Sequence, residues 1–306
     1  MQGQQPNPSD LNFYGKVVIS GHLVARTGLH IGGSQGGMDI GGVDKIVIRD
    51  RLTNQPYVPG SSLKGKMRAL VERARGKTTL ANMVQVVAGG PTREPIRIHM
   101  CNDPACEVCL VFGRNNVLQG IPRAEGNERL KIDQSTPTRL IVRDSRLTKN
   151  SVGELGNRDL DQLYTEVKWE VGIDRITSAA NPRQMERVLA GARFRFNIAY
   201  SVLTRADADN FIVVLEGLRL LEDDYLGGLG SRGSGQVAFT NLRLNWRSRK
   251  FYEGVVVEDD IVEAQKLWLP ADTNLKRKLP RLSDLTSERL SKVVAYINDQ
   301  IKAEHP

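Results

Sequence analysis

Phe194-Arg-Phe-Asn-Ile-Ala-Tyr-Ser-Val-Leu203 alternates large apolar side chains with polar or small ones, the period-two pattern of a half-buried strand. Just downstream, residues 208–222 carry Phe211, Val214, Leu215, Leu218 and Leu221 at helical spacing, and residues 237–246 alternate again as a final strand. Strand, helix, strand is the order of a βαβ unit, in which the helix crosses over the sheet. Working towards the N-terminus, residues 193 to 150 are polar, with a hairpin expected around 167–176 and a helix over 182–189. Residues 139–143 read as a short strand. Tyr14 to Ala25 alternates as another, and residues 45–49, with Ile46, Val47 and Ile48, as a third. Pro59-Gly-Ser-Ser62 then supplies helix-start chemistry ahead of Leu63, Met67, Leu70 and Val71. Helices and strands thus interleave in β-α-β order with long inserts, which suits a ferredoxin-like α+β core.

Around that core three parts are set off by composition. Residues 1–13 are polar and expected to be flexible. Residues 76–138 read as an insertion, mixing Gly89-Gly-Pro91 with all three cysteines. After residue 246 a Pro-containing linker leads to a C-terminal helix marked by Leu290, Val293, Val294, Ile297 and Ile301. The core therefore spans 14–246, with the extension at 247–306.

At 306 residues and 40% hydrophobic content the chain can bury a substantial core. Its formal charge is +8, and the segment from Arg247 onward is nearly balanced, with 11 basic and 10 acidic residues, so the excess lies in the body. A basic body favours phosphate-bearing partners, because each neutralised phosphate releases counterions, although many solvated surfaces are as basic. The N-terminus lacks the charged-then-apolar order of a secretion signal, and no apolar run reaches the ~20 residues that span a bilayer, so a cytoplasmic protein without a membrane partner is expected.

Four features carry chemistry. His99-x-Cys101-x4-Cys106-x2-Cys109 offers one imidazole and three thiolates, a donor set for tetrahedral Zn2+ in a closed, structural site; free thiols in an insertion are the alternative. The loop from Gly28 to Lys45 is rich in glycine and carries Asp39 and Asp44, which could hold a divalent cation such as Mg2+ or simply make Asx turns; spacing does not choose between them. Pro59-Gly-Ser-Ser-Leu-Lys-Gly-Lys-Met-Arg68 places Ser62, Lys64, Lys66 and Arg68 in the first turns of a helix. Cations are slightly unfavourable there unless a polyanion is present. Finally, Gly228-x-Gly230-x-x-Gly233 has the form of a dinucleotide fingerprint but follows a helix and precedes a strand, so the Rossmann reading fails; what remains is a glycine loop carrying Arg232, suited either to a phosphate backbone or to a tight turn.

Taken in order, Thr27-Gly-Leu-His-Ile-Gly-Gly33, Gly42-Val-Asp44, the 59–68 segment, Tyr164-Thr-Glu-Val-Lys168, Ile173-Asp-Arg-Ile-Thr177, Ala180-Asn-Pro-Arg-Gln184 and Asp224-Tyr-Leu-Gly-Gly-Leu-Gly-Ser-Arg-Gly233 resemble the Csm-type RAMP backbone subunits of type III CRISPR effector complexes. The resemblance covers most of residues 14–245. It implies a modified RRM-like core on a guide crRNA, a thumb hairpin through about 166–177 within a thumb region at 150–192, and metal-dependent endoribonuclease cleavage of target single-stranded RNA at each subunit. It implies Asp44 as the catalytic carboxylate, with His30, Ser62, Lys64, Lys66 and Arg68 on guide phosphates, Arg232 close by, and Asp39 outside the family pattern. Copies of the chain and other effector subunits are the implied partners. A catalytically silent scaffold, a guide-processing RAMP endonuclease and a metalloprotein without RNA are the competing readings. The cysteine insertion and the tail after Arg247 depart from the family and inherit no function.

Overall fold

The strand expected at Tyr14 to Ala25 forms as β1 (Gly15–Ala25) and occupies the middle of the main sheet. In the computed structural model, which describes residues 11–32, 45–87, 94–114, 117–126, 128–132, 136–158, 160, 162–255 and 281–304, β1 pairs antiparallel on both sides. Its neighbours are the two strands of the segment quoted first, β11 (Arg193–Val202) and β12 (Val237–Ser248). Beyond β11 come β7 (Leu140–Val142) and β8 (Ser145–Leu147), and β2 (Tyr57–Val58) pairs with β8 at the far edge. The fold is mixed α/β on an antiparallel sheet.

Two helices cover one face of this sheet and explain its alternation. α1 (Gly60–Ala74) and α4 (Asp207–Asp223) pack against each other and turn Leu63, Met67 and Val71, and Phe211, Val214, Leu215 and Leu218, into the core. Val17, Ile19 and Leu23 of β1, Phe194, Phe196 and Ile198 of β11, and Phe239, Leu244 and Trp246 of β12 meet them from the sheet. Phe196 and Phe239 meet edge to face, with ring centroids 5.1 Å apart. Each such side chain contributes about 1.5–3 kcal/mol on burial, so the helix-facing layer dominates stability. At its edge Arg139 and Asp207 form a fully buried ion pair at 3.1 Å, and Asp207 also accepts from the backbone N–H groups of Leu203 and Thr204. That one carboxylate ties the end of β11 to the start of α4.

The inserts differ more from expectation. Residues 45–49 form no strand: Lys45, Val47 and Arg49 make isolated bridges to Met185, Gly32 and Pro56, so no single partner runs alongside long enough for a ladder. The helix expected over 182–189 is instead β10 (Ala180–Val188), paired along its whole length with β9 (Thr165–Ile173). Met185 and Val188 have helical spacing, but the cross-strand partners override it. The tip of this hairpin is an Asx turn, with Asp174 Oδ1 accepting from the N–H groups of Ile176 and Thr177. An additional helix, α3 (Lys149–Gly156), precedes the hairpin and is capped by the Thr148 hydroxyl, which accepts from Ser151 N–H.

The 76–138 insertion holds two hairpins, β3 (Met83–Val87) with β4 (Ile96–His99) and β5 (Val117–Pro122) with β6 (Arg129–Ile132), plus the short α2 (Glu107–Phe112). It has a small core of its own around Val84, Met100 and Leu130. A four-residue helix, α5 (Arg249–Tyr252), follows β12. The C-terminal helix forms as α6 (Ser287–Glu304) and buries Leu290, Val293, Ile297 and Ile301 against the body, packing on α4. The expected linker before it lies largely outside the described residues, as does most of the N-terminal segment. Among the described residues, no helix is long and apolar enough to cross a membrane.

Candidate functional site

The glycine loop after α4 is stitched to the segment that follows β1. Gly227 sits at φ +81, and a Cβ there would lie 2.1 Å from the carbonyl oxygen of His30; only glycine admits that approach. The same carbonyl accepts from Gly228 N–H at 2.8 Å, Gly235 N–H donates to Gly28 O at 2.9 Å, and Leu226 N–H to Gly235 O at 2.8 Å. These amides are therefore committed to tight packing. What the loop turns outward is Arg232, whose side chain is 56% exposed.

His30 is buried beneath this loop, with Nδ1 2.7 Å from the backbone oxygen of Glu186. A carbonyl only accepts, so Nδ1 carries a proton in this contact. The basic residues of α1 divide into two groups. Lys66 reaches the glycine loop, 3.1 Å from Asp224 Oδ1 and 3.6 Å from the Tyr225 ring centroid. Lys64 instead donates to Leu140 O at 2.9 Å, and its burial pushes its pKa down. Arg68 also turns inward, to Glu72 at 2.7 Å, Gly113 O at 2.9 Å and His99 O at 2.6 Å. The helix start itself is capped from outside, Gly60 N–H donating to Asp144 at 2.8 Å, with Ser62 half-buried one turn in. Of the residues expected on phosphates, the fold thus gathers His30, Lys66 and Arg232 around the glycine loop and directs Lys64 and Arg68 into the protein.

Arg232 also joins the loop to the hairpin, donating to Glu170 at 3.1 Å. Arg183, across the strand pair, binds the same carboxylate at 3.0 Å. The carboxylates beside Lys66 and Arg232 keep both cations on the rim of one surface, where a phosphate oxygen is a chemically equivalent acceptor.

Asp39 and Asp44 lie outside the described residues, but both flanks of their loop are defined and converge on Glu186 of β10, a residue that sequence reading missed. Glu186 is 1% exposed, and its N–H donates to Lys45 O at 2.9 Å. Its carboxylate accepts from Val47 N–H at 2.7 Å, Arg49 at 2.6 Å and the Thr165 hydroxyl at 2.7 Å, while its carbonyl holds His30. Ile48 N–H closes the arrangement on Ile31 O at 2.8 Å. No sequence signal marks Glu186, which sits among several charged residues of a polar stretch. Removing it takes the carboxylate from the part-buried Arg49 guanidinium and strands the buried Val47 amide, so Glu186→Ala is expected to cost about 2–3 kcal/mol, read by urea denaturation.

At the far side of α1 the four expected metal donors come together. The ligand atoms of His99, Cys101, Cys106 and Cys109 lie within 4.8 Å of one another, with all but Cys101 buried. His99 ends β4, Cys106 caps α2 and Cys109 lies within it. His99 Nδ1 donates to Asn82 O at 2.8 Å, which aims Nε2 at the thiols. Hydrogen bonds from Cys101 and Cys109 hold the Cys106 thiol well below the usual range, and hydrogen bonds from Cys101 and Cys106 push Cys109 well above it. Burial opposes protonation of His99, but the neighbouring thiols raise its pKa to about 10. One imidazole and three sulfurs at this separation fit a closed tetrahedral metal centre with no open position.

Residues 22–238, most of the chain, match the family model of the RAMP superfamily, a span that holds both covering helices and the sheet's β2, β7, β8 and β11 strands. The chain is 40% identical over 264 residues to the CRISPR system Cms endoribonuclease Csm3 of Methanothermobacter thermautotrophicus, covering 86% of this chain and 98% of that one. It is 37% identical over 248 residues to the protein of the same name from Methanocaldococcus jannaschii, covering 80% and 87%. The crystal structure of Methanopyrus kandleri Csm3 shares the fold, with a TM-score of 0.58 at 24% identity over 93% of this chain and 98% of that one. The chain belongs to the RAMP superfamily and, within it, to the Csm3 family.

Proposed function

We propose that this chain is the guide-RNA-binding backbone subunit of a type III CRISPR effector complex, and that it cleaves complementary target RNA as an endoribonuclease. The observation that carries the reading is near end-to-end similarity to Csm3 endoribonucleases, 40% identity covering 98% of one of them. The gathering of Lys66, Arg232 and His30 at one glycine loop supports it.

In this reading residues 14–246 form a modified ferredoxin-like, RRM-like core, the β9–β10 hairpin is the thumb, and the 76–138 insertion is stabilised by structural Zn2+ on His99, Cys101, Cys106 and Cys109. Guide phosphates lie on Lys66 and Arg232, with Ser62 and His30 alongside. Lys64 and Arg68, by contrast, fix α1 to its neighbours. A scaffold that holds RNA by its phosphates reads no sequence, so target choice falls to base pairing with the guide. Asp44 would hold the divalent cation, Mg2+, which would supply the charge that offsets the scissile phosphate. The target 2′-oxygen bonds to the adjacent phosphorus as the bond to the 5′-oxygen breaks, leaving a 2′,3′-cyclic phosphate and a 5′-hydroxyl. Further copies of the chain and other effector subunits, in the cytoplasm, complete the assembly.

Incubating the protein with guide and complementary RNA, with magnesium or with chelator, tests this. Cleavage at regular intervals that stops on chelation is expected; binding without cleavage would leave the silent scaffold.

A further inference from the structure

The face of the sheet opposite α1 and α4 has a composition the function above does not use. Along β1 the residues pointing to it are Lys16, Val18, Ser20, His22 and Val24, since Val17, Ile19 and Leu23 point to the helices. The register then fixes the neighbours. Ser20 pairs with Arg243 of β12, His22 with Arg195 of β11, Val24 with Arg193, and Arg195 in turn with Arg146 of β8. His22, Arg195 and Arg146 therefore form one row across β1, β11 and β8, and Arg243 stands on the neighbouring rung, opposite Ser20. It is aimed by a bulge at Gly21, where a Cβ would lie 2.8 Å from Thr240 O.

Two of these guanidinium groups have an acid beside them, Arg146 with Asp50 at 2.9 Å and Arg193 with Glu154 at 2.5 Å. Arg195 and Arg243 are exposed and have no carboxylate partner among the described residues. His22, between them, is held below its ordinary pKa by burial and then by Arg193, Arg243 and Arg195, with no acid acting the other way. Like charges placed side by side on a sheet repel, and here Arg195 lies directly opposite Arg146, and of the two only Arg146 has a carboxylate beside it.

We infer that this open face of the sheet is a second binding surface for the phosphodiester backbone of single-stranded RNA, with Arg195 and Arg243 as its principal contacts and Ser20, Asn197 and His22 as polar neighbours. The occupant follows from charge: two exposed guanidinium groups on neighbouring rungs, Arg195 and Arg243, lack acids and complement a chain of evenly spaced monoanions, and guanidinium groups match phosphate in geometry. The surface lies on the opposite side of the sheet from α1, whose Lys66 borders the glycine loop. The choice of RNA among polyanions rests on the proposed function; the existence of the anionic site does not.

The test uses the full chain and a fluorescein-labelled uridine 15-mer, with anisotropy followed across a salt series, in a Lys66→Ala/Arg232→Ala background. Adding Arg195→Glu/Arg243→Glu is expected to weaken residual binding about tenfold or more near physiological salt and to lower the log–log salt slope by about 1.4, the value for two lost single-strand phosphate contacts. Arg195→Lys/Arg243→Lys should retain most of the binding. Unchanged affinity and slope in a charge-reversed protein with unaltered circular dichroism would overturn the inference. So would loss of self-association with RNA binding intact, which would make the face a contact between copies. If Lys66→Ala/Arg232→Ala alone leaves guide binding untouched, the proposed guide surface fails, whichever way the sheet face behaves.

Discussion

Asp44→Ala is expected to abolish target cleavage, lowering the single-turnover rate on guide-paired RNA about a thousandfold, while guide binding stays at the wild-type level. The magnitude is that of losing a positioned carboxylate that acts as metal ligand or base. The separation of the two readouts follows from the fold. Lys66, Arg232 and His30 are held by α1, the glycine loop and β10, and among the described residues they bond to Asp224, Glu170 and Glu186. Downstream of that loop, Lys45 and Val47 are fixed by Glu186, and upstream Leu29 and His30 are fixed by β10 and the glycine loop, so the substitution leaves both anchors intact. Asp39→Ala is expected to cut nearly as well as the unaltered chain. Gel-resolved products from both variants check the assignment. Cleavage surviving in Asp44→Ala would remove Asp44 from the chemistry, and a parallel loss in Asp39→Ala would show that the loop as a whole matters more than one carboxylate.

Much of the core was legible because its residues obey one period each. β1, β11, α4 and β12 form within a residue or two of where alternation and helical spacing put them, since their partners are the same sheet and helix pair that the pattern anticipates. The 182–189 stretch misled because Met185 and Val188 lie three residues apart, a spacing a helix favours, while the deciding interaction is pairing with residues 165–171, which no local window contains. The site shows the same division. His30, Lys66 and Arg232 carry a residue-type signal. Glu186 does not, because its importance lies in joining residues 30, 45, 47, 49 and 165, which are far apart in the chain. Arg68 shows the converse error: its position in α1 suggested phosphate, whereas its guanidinium is used up by Glu72, Gly113 and His99. Residue type locates charge in a sequence, but only tertiary contacts say whether that charge is available.

Cys106→Ser is expected to abolish zinc binding and loosen the insertion. Purified protein should carry about one zinc per chain, and the variant less than a tenth of that, because tetrahedral binding needs all four donors and a serine hydroxyl is a poor substitute for a thiolate. The stability loss is expected to reach about 4 kcal/mol, the range associated with loss of a structural metal, with melting lowered by roughly 8 °C or more. The reason lies in what the four donors join. His99 belongs to the β3–β4 hairpin, Cys101 to the chain after it, and Cys106 and Cys109 to α2, and the insertion's separate core around Val84, Met100 and Leu130 is small. Among the described residues, other ties between the hairpin's end and α2's end are the guanidinium groups of Arg68, to His99 O and Gly113 O, and Arg114, to Cys101 O and Asp103 O. Arg68 extends the effect into the body, since its bonds to His99 O and Gly113 O connect α1 to both ends of the cluster. Chelation of the unaltered protein should reproduce the melting shift, more readily at acidic pH, where thiolates are lost to protonation. A protein isolated without zinc, with Cys106→Ser as stable as its parent, would make these residues ordinary buried thiols and leave Arg68 and the packing of Val108, Val111 and Phe112 in the main core as the insertion's ties to the body.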